Sequence, residues 1–168
     1  ERAAVMVYRG EGQIAAAGSR VALAAGTGSV VPAGGPPAPA ESLLPAPRPL
    51  APEPGAARGG EALLFAGEEV AGAAGYAVEL CADPECGELV ERYAGLPAAP
   101  FRPPGELPLG ELFWRVTPTA ASGLDGYPSP AVGFTLLAVE PPRDRTPPAG
   151  ELVLLGVSWE AGGSRFVR

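Results

Sequence analysis

The chain has 168 residues, a formal net charge of −7 and no histidine. Its 12 Lys and Arg residues are not clustered in the sequence as a phosphate-binding surface requires, which argues against a nucleic-acid partner. Because histidine is missing, the chain lacks the commonest general base and metal ligand. No apolar run has the length of a transmembrane helix, and no signal peptide follows Glu1, so we interpret the chain as a processed or excised part of something longer.

Residues 1–33 predict a first β unit. Val5 and Val7 alternate with smaller or polar neighbours, Val21 and Leu23 repeat the alternation, and glycine closes each of four short stretches. Large apolar residues are too few for this piece to be stable alone. We therefore expect a meander or the last coils of a β-solenoid that completes a domain begun upstream.

Residues 34–56 predict a proline-rich linker. Proline spacing of this kind excludes a helix or a central strand and favours a semi-rigid polyproline II spacer. Leu43 and Leu44 are the exception, because a pure spacer has no use for two leucines. We expect both to pack on a flanking β unit and to keep the linker ordered.

Residues 57–138 predict an antiparallel β-sandwich of the immunoglobulin or fibronectin-III type within an all-β chain. The strand candidates are 61–66, 75–81, 88–94, 111–118 and 131–137. Alternation along them predicts one core, made of Tyr76, Val78, Leu80, Leu112, Trp114, Val116 and Phe134. A second linker at 139–149 and the start of a further β unit at 150–168 complete the prediction.

Two sets of motifs resemble known families. The first lies at 7–12 (VYRGEG), 21–28 (VALAAGTG), 34–37 (GGPP) and 43–47 (LLPAP). It resembles the end of a FecR-type domain. The second lies at 75–80 (GYAVEL), 113–116 (FWRV) and 123–129 (GLDGYPS). It is similar to the fibronectin-III-like module that follows FecR domains in bacterial cell-envelope proteins. The resemblance implies a periplasmic or cell-surface location and a scaffold, sensing or binding role, with no catalytic residues.

Cys81 and Cys86 are the sharpest local signal. They flank four turn-forming residues between two strand candidates, and residues that flank such a loop can lie opposite each other with Cα atoms about 4.5–5.5 Å apart. We predict a structural disulfide, which an oxidising compartment would preserve. The second interpretation is that Cys81 and Cys86 are free thiols. Zinc or redox chemistry ranks last, because further ligands and a C-x-x-C spacing are missing.

The remaining candidates favour a chain without catalytic, cofactor-binding or metal-binding residues. Trp114 is interpreted as a core residue rather than a sugar platform, whereas Trp159 is open to a surface role. Glu68 with Glu69, and Asp83 with Glu85, have the composition of a glycosidase carboxylate pair, but their turn-like contexts favour solvated charge. Serine nucleophiles have no histidine base.

The function hypotheses follow from these exclusions. The first is a non-catalytic structural or interaction module, with protein partners in a homo-oligomer or a larger envelope complex. The second is a module that binds peptidoglycan or another glycan. The third is a regulator that relays signals to sigma factors, as some FecR proteins do.

Overall fold

The computed structural model describes residues 2–98 and 100–138, and the all-β prediction is confirmed for them. In chain order the strands are β1 (Ala3–Val7), β2 (Glu11–Ala16), β3 (Ser19–Ala24), β4 (Thr27–Val31), β5 (Glu41–Ser42), β6 (Pro49–Ala51), β7 (Ala56–Gly59), β8 (Ala66–Gly67), β9 (Ala73–Cys81), β10 (Leu89–Leu96), β11 (Gly110–Ala120) and β12 (Val132–Leu137). The second linker and the further β unit, predicted at 139–149 and 150–168, lie outside the described residues.

The N-terminal unit consists of β1 to β5. A three-stranded sheet has the order β1-β4-β5, and β2 with β3 forms a separate antiparallel hairpin. The hairpin turns at Ala17 and Gly18, both with positive φ. Leu23, only 2% exposed, supplies the main large buried side chain of the hairpin.

The sandwich is built on a five-stranded sheet with the order β10-β9-β11-β12-β7. All neighbours are antiparallel except β7, which runs parallel to β12. Side chains on one face alternate with those on the other, so every second residue of β9 and β11 points into the core. All seven predicted core residues are buried in one cluster, which confirms that prediction.

The second layer is smaller. It contains the β6–β8 pair and a bridge between Phe65 and Phe101. The predicted strand at 61–66 is wrong over residues 61–64, because Gly60–Ala62 forms a 3₁₀ turn and β8 begins only at Ala66. Phe65 is buried, with its ring centroid 5.2 Å from Trp114 and 5.9 Å from Phe134. The core thus includes a second-layer aromatic that the alternation pattern did not identify.

The proline-rich segment supplies the first edge strands of the sandwich. β6 pairs with β8 in the small layer, the chain crosses over at the cis Ala51–Pro52 peptide, and β7 then pairs with β12 in the large sheet. Proline is tolerated at the start of an edge strand, where no ladder donor is needed, and β6 begins at Pro49. Residues 34–56, predicted as a linker, therefore include β5, β6 and the first residue of β7.

Candidate interaction site: the joint between the two β units

A short segment, residues 41–44, is hydrogen-bonded to both β units. On one side, β5 pairs with β4, and the Leu43 N–H donates to Gly26 O at 2.8 Å. On the other side, the Tyr127 N–H of the sandwich donates to Leu44 O at 2.9 Å. Backbone pairing therefore continues from the N-terminal unit through this segment into the sandwich. We call this region the joint.

Both leucines of the segment contact a flanking unit, which confirms that prediction. Leu43 is 9% exposed and its Cδ2 lies 3.1 Å from the position of a Cβ on Gly28, close to Leu124 of the sandwich. Leu44 packs partly buried against the sandwich core. Leu43 thus lies near both units, and Leu44 packs on the sandwich.

A glycine makes this close approach possible on the sandwich side. A Cβ built on Gly126 would lie 2.6 Å from Leu44 O and 2.9 Å from Cγ of Pro118. Both distances are below any ordinary contact, and one of the blocking atoms is backbone. The glycine in the motif at 123–129 therefore has a steric role in the joint.

Two tyrosines hold the outer side of the joint. The rings of Tyr8 and Tyr127 meet edge to face, with centroids 5.4 Å apart. The Tyr8 hydroxyl donates to Gly126 O at 3.3 Å, and the Tyr127 hydroxyl donates to Tyr8 O at 3.4 Å. Partial burial raises the pKa of the Tyr8 hydroxyl, and the negative charge of Asp125 raises it further. The neutral phenol is thus the form that this contact favours.

An ion-pair network orients the loop that carries these contacts. Glu79 binds Nε of Arg115 at 2.6 Å and Nε of Arg92 at 3.2 Å, and Arg92 Nη2 reaches Asp125 at 3.2 Å. The Thr119 hydroxyl donates to the other oxygen of Asp125 at 2.8 Å. Because these side chains are partly exposed, each pair contributes only about 0–1 kcal/mol. Their main effect is to fix Asp125, and with it the 123–129 loop, to β10 and β11 directly and to β9 through the Arg92–Glu79 pair.

The predicted disulfide is present between Cys81 and Cys86, with Cα atoms 5.0 Å apart. The expected cross-strand geometry is wrong, however, because Leu89 and not Cys86 is the register partner of Cys81. The loop between β9 and β10 is longer than four residues, and Cys86 lies inside it with a φ of 56°. The bond therefore staples a loop residue to the end of β9.

The carboxylate of Asp83 explains why the loop has this shape. It accepts three backbone N–H groups, from Glu85 at 3.0 Å, Gly87 at 3.0 Å and Glu88 at 2.6 Å. These donors, that of Gly87 first, lower the pKa of Asp83. Asp83 is thus occupied as a structural acceptor.

The other candidates do not converge on a reactive site. Trp114 is fully buried, as its interpretation as a core residue requires, and Trp159 lies outside the described residues. Glu68 and Glu69 are exposed on a connection before β9. Within residues 2–98 and 100–138, no group of three His, Cys, Asp or Glu side chains is placed to hold a metal ion.

No protein-family model matches the chain, and no curated protein matches its sequence.

Proposed function

We propose that this chain is a non-catalytic structural module of the bacterial cell envelope that holds two β units in one fixed arrangement within a larger assembly. The observation that carries the proposal is the joint, where residues 41–44 pair with both units. A binding domain on a free tether has no need of such pairing, whereas a scaffold subunit depends on a set angle between its parts.

The extracytoplasmic part of the proposal is supported by the Cys81–Cys86 disulfide, since such bonds persist in oxidising compartments. The motifs that resemble a FecR end and a fibronectin-III-like module point to the periplasm or the cell surface. In the described part of the chain, no helix has the length and hydrophobicity to span a bilayer.

The partners in this proposal are other protein subunits, which bind to the loops and to the two ends of the sandwich. Strand addition at the β10 edge is disfavoured, because the exposed charged residues Glu91 and Arg92 lie on this edge strand. Register shifts on both sides of the 91–93 stretch also distort this edge.

Glycan binding and signal relay are the alternatives. Glycan binding would need clustered free aromatic faces, but the four aromatic pairs among the described residues lie in the core, beside it or in the joint. Phe113 lies outside these pairs and is partly buried, next to Gly133. This use of the rings supports the scaffold over the glycan-binding role. Co-sedimentation of the full chain with purified peptidoglycan tests the alternative directly.

The test of the scaffold proposal is the distance between the two units. Spin labels on Arg20→Cys and Glu111→Cys, with the native disulfide intact, should give one narrow distance distribution by pulsed electron resonance. Gly126→Ala should broaden or shift it, because the new Cβ collides with Leu44 O. Gly60→Ala is the matched control, since a Cβ there meets nothing within 4 Å. A broad distribution in the parent would overturn the proposal.

A further inference from the structure

A groove lies at the end of the sandwich away from the joint. β11 begins there at Gly110 and runs its 11 residues toward the joint, about 35 Å away. β12 ends there at Leu137, next to Ala138 in the groove wall. The groove has a volume of about 620 Å³.

The groove is apolar inside and charged at its rim. Leu107, Leu109 and Leu137 line it, and the charged side chains around them are Glu61, Arg102 and Glu106. Leu109 is 63% exposed and Leu137 is 48% exposed. Clustered exposed leucines inside a charged rim are typical of a surface that another apolar element covers.

The sequence after Ala138 fits this groove. The chain leaves from the groove wall, and an extended path from Ala138 to Leu152 spans up to about 45 Å, which is ample reach. Residues 147–155 carry Pro-Pro-Ala followed by Leu154-Leu155, in the same order as residues 36–44, which carry Pro-Pro-Ala and Leu43-Leu44 at the joint.

We propose that this distal groove is the docking site for residues 152–155 of the same chain. The sandwich would then be held at both ends by leucines that follow a proline-rich segment. The inference goes beyond the joint and uses none of its residues, so either proposal can fail without the other.

Hydrogen exchange on the full 168-residue chain tests the docking. In Leu109→Glu/Leu137→Glu, the amides of residues 152–157 should exchange at least tenfold faster than in the parent, because the charges remove the apolar seat. Leu89→Glu is the control, because Leu89 is 53% exposed on β10, away from the groove lining. Exchange in β9 and β11 should stay unchanged and so verify folding.

Three outcomes would overturn the proposal. The first is that the amides of residues 152–157 exchange in the parent as fast as in an unstructured peptide. The second is that these amides stay as protected in the groove variant as in the parent. The third is that the groove variant abolishes a concentration-dependent dimer while amide exchange at 152–157 is unchanged. The last outcome would make a second copy the occupant. A reciprocal variant, Leu154→Glu/Leu155→Glu, should at least double the fluorescence of the dye 8-anilinonaphthalene-1-sulfonate, and unchanged dye binding would contradict the docking independently.

Discussion

At the scale of single residues, Trp114 joins the two layers of the sandwich. Its ring is fully buried against Phe65, and its Nε1–H donates to Pro52 O at 3.3 Å, where the edge strand crosses between layers. Trp114→Ala removes both contacts and leaves a large cavity, so we expect the free energy of unfolding to fall by about 3–5 kcal/mol. Denaturant titration measures this. Leu50→Ala, at a site 49% exposed, is the control and should change stability by under about 0.5 kcal/mol.

Asp83 gives a prediction about acid stability. Its folded pKa lies below the unfolded value of 3.8, chiefly through the Gly87 N–H. The stabilisation is therefore present above that value and is lost as pH falls through the lower folded pKa. We expect Asp83→Asn to be less stable than the parent at pH 7 and to lose less stability below pH 4. Glu88→Gln is the control, because it also removes one negative charge but leaves the three hydrogen bonds to the Asp83 carboxylate in place. Parallel acid titrations of Asp83→Asn and the parent would refute the prediction.

At the scale of elements, the disulfide constrains the connection between β9 and β10. A bond between Cys81 and Cys86 closes a short ring, and its chain-entropy contribution is about 2 kcal/mol. Cys81→Ala/Cys86→Ala should lower stability by that amount and leave the β9–β11 pairing intact. Alkylation before and after reduction, followed by mass spectrometry, checks the bond itself. Two thiols alkylated without reduction, in protein from its native compartment, would contradict it.

The strands that the sequence predicts best are those whose large apolar side chains lie on one face. β9 and β11 alternate large apolar side chains with smaller or polar ones, so the residues that face the core can be predicted from the sequence of each strand alone. The sequence does not predict β6 and β7, because strands of three residues (Pro-Leu-Ala) and four residues (Ala-Ala-Arg-Gly) are too short to show a period. The partner of β7, β12, is also distant in sequence. The same reason explains the joint: the leucines at 43 and 44 signalled packing, but Gly126 and Tyr8 gained their roles only through tertiary contact.

At the scale of the whole molecule, few contacts hold the two β units together at the joint, and Tyr8 makes one of them. Ionisation of the Tyr8 hydroxyl should therefore change the arrangement of the two units measurably. Burial and then Asp125 raise the folded pKa of Tyr8 above its usual 10.0. The stabilisation is complete below pH 10 and is lost as pH rises through the folded pKa, because the unfolded phenol ionises first. We therefore expect the joint to loosen above pH 10.

The measurement is the label-to-label distance between Arg20→Cys and Glu111→Cys from pH 8 to 11.5. The parent distribution should broaden above pH 10, while a Tyr8→Phe background should show a constant width, since phenylalanine keeps the edge-to-face packing and cannot ionise. Tyr93→Phe is the matched control: burial and Glu91 also raise the Tyr93 pKa, but its ring packs on Phe101 inside the sandwich. Tyr93→Phe should shift the pH at which the sandwich unfolds in alkali, but the label-to-label distance distribution should still broaden above pH 10. If Tyr8→Phe broadens like the parent, the phenol of Tyr8 does not control the joint.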